Sequence, residues 1–229
     1  MRLLFLHGIW HPPSLYKEKV MSTLWAKLEE NGFTICAPQS SRDHSTPVWP
    51  MIKERHPELT THPEWYNAKD NDDGTKTLTG LQETIVFLQN YLNKADTFDV
   101  VMGHSQGAQL LSILAILAES DPSFIPAEKR WKLLVPMNGP NAFDTVDTLL
   151  DVVRKNPKIK TPSIHVFGGP EDVTWEGQQK MKDVHYRNAS SQIVRHDEGH
   201  MPPGDEVVCD ELIKAMLAVL KIQNKDLSP

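Results

Sequence analysis

Cysteine is nearly absent from this chain. Cys36 and Cys209 are the only two in 229 residues, too few for a disulfide framework or a four-ligand zinc site. A basic excess is missing as well: 24 Lys and Arg face 30 Asp and Glu, a net charge of −6 with neutral histidines. A net negative chain gains nothing by releasing counterions from DNA or RNA, which argues against a nucleic-acid partner. Long hydrophobic runs are lacking too. The stretch from Leu110 to Ala118 is interrupted by Ser112 and falls short of the ~20 residues a membrane span needs. At the N-terminus the apolar run Leu3 to Leu6 passes straight into His7-Gly8 with no small-residue cleavage pattern. It reads as a buried strand rather than a signal peptide, and the expected location is the cytoplasm. Neither G-x-G-x-x-G nor G-x-x-x-x-G-K-[ST] occurs, so no nucleotide cofactor is expected.

What is present is ordinary globular material. Hydrophobic residues make up 39% and charged residues 24%, enough for a real core and unlike disordered, collagen-like or coiled-coil chains. Short apolar runs alternate with longer amphipathic ones, the pattern of a parallel sheet covered by helices. Strands are expected at Leu3 to Leu6, Phe33 to Ala37, Val100 to Met102, Lys132 to Pro136, Ser163 to Phe167 and Gln192 to Arg195. Helical spacing runs through Leu15 to Glu30, Leu78 to Leu92, Gln106 to Ala118, Trp175 to Val184 and Glu206 to Lys221. The prediction is one α/β domain over 1–229 with a mostly parallel sheet of about six strands. From Pro38 to Thr77 no period is visible, yet the segment carries Pro47, Pro50, Pro57 and Pro63 along with Trp49, Trp65 and Tyr66. A compact domain rarely spends that length on a structureless loop without a use for it. Two readings stand side by side. In one, 38–77 is a cap-like insertion packed by its aromatics, with at least one of Trp49, Trp65 and Tyr66 walling a substrate pocket; in the other, all three staple a long connection.

Gly103-His104-Ser105-Gln106-Gly107 fits the G-x-S-x-G elbow, in which a serine sits on a sharp strand-to-helix turn and close chain passage demands small flanking residues. An apolar strand precedes it and an apolar helix follows, which is the context the motif requires. A serine hydroxyl is a weak nucleophile unless a histidine takes its proton and an acid orients that histidine. In chain order both follow. Gly168-Gly169-Pro170-Glu171-Asp172 succeeds one strand and His196-Asp197-Glu198-Gly199-His200 another. Asp172 is chosen over Glu171 for its G-x-x-D spacing from Gly169. His200 is chosen over His196 because it lies past the strand end behind Gly199. An oxyanion hole needs two backbone amides; Gln106 supplies one and Ile9, after the permissive Gly8, the other. His196 and His200 are four apart, but Gly199 and Pro202-Pro203 deny them the helix of a zincin, so no metal is expected.

These residues resemble the α/β-hydrolase superfamily, and more narrowly its FSH-type family of serine hydrolases. The likeness runs from His7-Gly8 through Pro63-Glu64-Trp65-Tyr66 and Gly80-Leu81. It continues through Gly103-His104-Ser105-Gln106-Gly107-Ala108 and Gly169-Pro170-Glu171-Asp172 to Gly199-His200-Met201-Pro202. The pattern departs at Ile9-Trp10-His11, His104 and Trp175, positions that bear on substrate shape. The resemblance implies esterase or thioesterase activity on small-molecule acyl substrates, with neither metal nor organic cofactor. A peptidase or amidase would use the same three residues, and a binding protein could keep the fold without the chemistry.

Overall fold

The structure, a computed structural model, describes residues 1–43, 50–70, 72, 76–140 and 159–225. Its centre is a six-stranded sheet in the order β10-β9-β8-β7-β1-β2, every pair parallel. The strands are β1 (Arg2–Leu6), β2 (Thr34–Cys36), β7 (Val100–His104), β8 (Leu133–Met137), β9 (Ser163–Phe167) and β10 (Ser191–Arg195). The four inner strands are apolar because helices cover both of their faces. Alternation then sorts their side chains. Leu4, Leu6, Val101 and Leu134 face one layer, with Ile85 and Leu88 of α4 (Leu81–Lys94) and Leu111 and Leu114 of α5 (Gln106–Ser120). Leu3, Phe5, Val100, Met102 and Val166 face the other, against Leu24 and Leu28 of α2 (Ser22–Glu30) and Leu212 and Met216 of α7 (Glu206–Lys225). The expected strands and the central helix therefore stand, within a residue or two at their ends. Among the described residues no helix is long and apolar enough to cross a membrane.

Strand order reverses between β1 and β7, where Leu6 pairs with Gly103. Loops leaving neighbouring strands at such a switch point diverge to opposite faces and open a crevice at the carboxyl edge. The loops carrying Ile9 and Ser105 leave from those two strands.

Two expectations are corrected. Leu15 to Glu30 is not one helix: a single turn, α1 (Pro13–Leu15), runs into a π-turn at Tyr16–Val20, and Met21 at φ −139° breaks the chain before α2 begins. The interruption leaves Tyr16 fully buried beneath the end of β1, packed edge-on against Phe5 at 4.9 Å. The described part of Pro38 to Thr77 is not structureless either. It holds the helical turn α3 (Pro50–Arg55) and two short antiparallel ladders. Residues of β3 (Arg42–Asp43) pair with β4 (Pro63–Glu64), and β5 (Asn67–Asp70) pairs with β6 (Lys76–Thr79). Leu78, read as helical, lies in β6. The α4 helix starts only after Gly80, whose φ of 84° breaks the ladder and whose missing Cβ leaves room for the Arg42 guanidinium.

Candidate active site

The elbow is forced by close contacts. A Cβ on Gly103 would stand 2.5 Å from the Gly107 carbonyl oxygen, and one on Gly107 would stand 2.1 Å from that of Leu6. Only glycine fits at either point, so β7 can turn directly into α5. Ser105 takes φ 53° and ψ −118° at the corner, a strained geometry that costs about 1–3 kcal/mol and needs the surrounding packing to hold it. Its amide donates to the Met137 carbonyl at 2.9 Å. Gln106 opens α5, so its amide has no acceptor within the helix and faces the same corner.

Ser105, His200 and Asp172 lie in one hydrogen-bonded row. His200 Nε2 is 2.9 Å from Ser105 Oγ, and His200 Nδ1 is 2.9 Å from Asp172 Oδ1. A carboxylate only accepts, so Nδ1 carries the proton and Nε2 is left to accept from the serine hydroxyl. Asp172 is buried and saturated with donors. The Thr174 amide and hydroxyl each lie 2.8 Å from Oδ1. Asn138 Nδ2 and Gln178 Nε2 donate to Oδ2 at 2.7 and 2.6 Å. Burial alone would raise its pKa, but the hydrogen bonds from His200, Asn138 and the Thr174 amide prevail and hold it well below the usual carboxylate range. Glu171 is exposed. His196 is buried, with Nδ1 3.3 Å from the Glu198 amide.

The sequence reading missed Asn138, Thr174 and Gln178. Asn138 also donates to the Gly199 carbonyl at 2.9 Å and sits at φ 51°, tying the acid's loop to the histidine's. Its signal was available: an Asn-Gly-Pro at the end of a buried strand, on the edge where the other candidates gather. Thr174 and Gln178 are one turn apart at the start of α6 (Trp175–His185), facing Asp172 together.

On the other side of Ser105 runs the loop after β1. A Cβ on Gly8 would lie 3.2 Å from Ser105 Cβ, so this loop closes directly on the elbow. The Gly8 amide donates to the Tyr16 hydroxyl at 2.8 Å and the Trp10 amide to the Pro63 carbonyl at 2.8 Å. Between them, among the described residues, no acceptor meets the amide of Ile9.

Trp65 and Tyr66 do not wall a pocket. They are 0% and 2% exposed and leave no side-chain surface for a substrate. The Trp65 indole donates to the His7 carbonyl at 2.8 Å and stacks on the His7 ring at 4.5 Å. Gln106 holds both residues: its Oε1 accepts from the Trp65 amide at 2.8 Å and its Nε2 donates to the Tyr66 carbonyl at 2.7 Å. The Tyr66 hydroxyl meets Gln109 Oε1. Both aromatics are staples, and the expectation of a substrate wall is corrected for them; Trp49 lies outside the described residues. Trp65→Ala is therefore expected to lower the melting temperature by about 10 °C, the loss for truncating a buried Trp in a chain of this size. An unchanged melting temperature with an altered acyl-chain preference would restore the substrate role.

His7 lies beneath this staple. Its Nδ1 donates to the Gly8 carbonyl at 2.8 Å and its Nε2 accepts from the Ser40 amide at 3.1 Å. Burial lowers its pKa to about 4, and burial lowers that of His165 to about 3. Unfolded histidines titrate near 6.5, so between that value and about 4 the unfolded chain binds more protons than the folded one. The stability these groups contribute is complete above pH 6.5 and is lost as pH falls toward 4, on the order of 3 kcal/mol per histidine at full difference. Thermal melts from pH 7.5 to 5 should show a steadily falling midpoint; a flat profile would mean that both rings admit a proton while folded. Among the described residues no group of three or more His, Cys, Asp or Glu is placed to hold a metal ion.

The solved structures that this chain resembles include esterases and a serine hydrolase. Esterase PE8 superposes with a TM-score of 0.57 at 15% identity, covering 95% of this chain and 92% of that one. The esterase Pf2001 of Pyrococcus furiosus gives 0.51 at 16%, over 96% and 82%. FphF, a fluorophosphonate-binding serine hydrolase of Staphylococcus aureus, gives 0.52 at 13%, over 96% and 83%. At such identities these speak for the fold alone. Among curated proteins, Esterase OVCA2 of Bos taurus is 27% identical over 146 residues, 61% of this chain and 60% of its own length, so the match spans less than two thirds of that relative. Esterase C25G4.2 of Caenorhabditis elegans is 23% identical over 210 residues, 89% of this chain and 86% of its own. The serine hydrolase (FSH1) family matches residues 1–211, nearly the whole chain. On that extent of match, joined to the parallel sheet and its elbow, this chain belongs to the FSH1 family of serine hydrolases.

Proposed function

We propose that this serine hydrolase cleaves carboxylic esters or thioesters of small acyl substrates by two-step acyl transfer to water. The observation that carries the reading is the row Ser105 Oγ, His200 and Asp172, each link 2.9 Å long. In the first step His200 Nε2 takes the Ser105 proton as Oγ attacks the substrate carbonyl carbon. The carbonyl oxygen gains negative charge, and the amides of Gln106 and Ile9 are the donors assigned to meet it. His200 then passes its proton to the departing alkoxide or thiolate, leaving an acyl-Ser105 ester. In the second step water gives a proton to the same nitrogen as its oxygen attacks the acyl carbon; His200 then returns that proton to Ser105 Oγ as the bond between Oγ and the acyl carbon breaks, which regenerates Ser105 and releases a carboxylic acid. Asp172, charged and fixed by its other donors, keeps the ring in the productive tautomer throughout. Two free cysteines, one buried and one half-buried, suit a cytoplasmic setting.

Fluorophosphonates phosphonylate an activated serine and stall there, which makes them a direct test of the reading. Incubation of the purified chain should give a mass increase of one adduct that peptide mapping places on Ser105. An unlabelled chain, or an adduct elsewhere, would end the proposal. Matched p-nitrophenyl esters and acyl thioesters would then separate the two substrate classes.

A further inference from the structure

The residue before the nucleophile is a buried histidine that touches no reacting atom. His104 Nε2 lies 2.8 Å from the main-chain carbonyl of His200, and His104 Nδ1 lies 2.8 Å from the Tyr16 hydroxyl. Tyr16 in turn lies 2.8 Å from the Gly8 amide. Chemistry fixes the direction of every link. The amide can only donate, so Tyr16 accepts from it and has its own proton to give. The carbonyl can only accept, so His104 Nε2 must be protonated and Nδ1 must be the acceptor for Tyr16. The outcome is one continuous chain, Gly8 N–H to Tyr16, Tyr16 O–H to His104, His104 N–H to the His200 carbonyl, with no group frustrated.

Its two ends lie next to the atoms that matter most. Gly8 directly precedes Ile9, and the His200 carbonyl belongs to the same residue as the ring that meets Ser105. The chain thus spans from the β1 loop to the β10 loop, passing through the elbow's own residue. Burial lowers the pKa of His104 far below the ordinary histidine value and raises that of Tyr16 well above the ordinary tyrosine value. The span therefore stays neutral and adds no charge beside His200. A Phe at either position would fill similar space and supply none of these links, so shape alone does not account for the pair.

We infer that Tyr16 and His104 are positioning residues, a neutral brace that holds the Ile9 amide and the His200 ring in register on either side of Ser105. The inference rests on the proposed serine hydrolase mechanism. Because the links are in series, cutting any one should release the span.

The experiment compares wild type, Tyr16→Phe, His104→Phe, the double variant and His104→Gln, well below each melting temperature. Fluorophosphonate labelling rate and kcat and KM on p-nitrophenyl acetate are the readouts. Each Phe variant should lose about tenfold or more in kcat and in labelling rate, as a slight misplacement of reacting groups does, with KM within about twofold. The double variant should be no worse than the weaker single. His104→Gln, still able to donate to the His200 carbonyl, should lose less than His104→Phe, and it stands in for that variant if the latter folds poorly. Wild-type labelling rates in the single variants would overturn the brace while leaving the mechanism intact. Losses that multiply in the double would also overturn it, since independent residues behave that way. Failure of the wild type to label would instead strike the mechanism itself.

Discussion

Ser105→Ala is expected to reduce ester hydrolysis by about 10⁴-fold or more while the chain folds and melts as before. Loss of a nucleophile that works as a unit with its base removes nearly all of the rate, and what survives is the contribution of the oxyanion donors and of binding. Stability should hardly change, because the deletion is one oxygen and leaves no buried group stranded. The His200 side chain is 32% exposed, so water can replace the lost hydroxyl at Nε2. The strained backbone at φ 53° persists in either residue, being imposed by the contacts of Gly103 and Gly107. Turnover on a panel of p-nitrophenyl esters beside a thermal melt is sufficient. Retention of most turnover on any hydrolysed ester would remove Ser105 from the mechanism.

Asp172→Asn should be nearly as damaging to turnover, and unlike the serine change it should also destabilise. The side chain accepts from His200 Nδ1, the Thr174 amide and hydroxyl, Asn138 Nδ2 and Gln178 Nε2. An amide there must turn its own N–H₂ toward one pair of them. If it faces His200, the ring shifts to the other tautomer and Nε2 can no longer accept the serine proton, a change that costs about 10⁴-fold in kcat in a comparable triad. If it faces Asn138 and Gln178, each of them keeps its second acceptor, the Gly199 carbonyl or Thr174 Oγ1, but has one buried N–H left unpaired, at about 1–3 kcal/mol each. Glu171→Gln, one residue away on the exposed side, should differ little from wild type in either measure. Kinetics and melts of the two variants decide the matter, and a reversed order of severity would transfer the role of acid to Glu171.

Much of this architecture could be read without coordinates, for identifiable reasons. Leu3, Phe5, Val101 and Val135 sit in short unbroken apolar runs because helices cover both faces of those strands, and such runs are visible in a single sequence. The elbow is visible because two close chain crossings admit only glycine. Asp172 and His200 are legible as candidates because each follows a strand that ends at the same edge. What escaped depends on partners distant in sequence. The apolar spacing of Leu15 to Glu30 is that of a continuous helix, and only the burial of Tyr16 against Phe5 and His104 explains the break at Met21. The ladders of the 38–77 segment are two to four residues per strand, too short for alternation to register. Trp65 looked like a pocket wall because a large apolar ring in a polar segment must bury somewhere; that it buries on His7 cannot be read from its neighbours in the chain. Thr174 and Gln178 escaped for the same reason, since a hydroxyl or a side-chain amide has no role until its partner is known, whereas Asn138 carried a signal in its Asn-Gly-Pro at the strand end.

Gln106 is an anchor shared by three parts of the chain. Its backbone opens the helix behind Ser105, while its side chain carries the two hydrogen bonds that dock Trp65 and Tyr66. Trp65 closes the circuit by donating to His7, one residue ahead of Gly8. Residues 63–66, the elbow and the β1 loop are consequently tied by three hydrogen bonds, so opening any one of them costs contacts with the other two. A break in the chain beside Trp65 is therefore expected to slow reaction at Ser105 without touching it, which would couple the integrity of a segment remote in sequence to the reactivity of the proposed nucleophile.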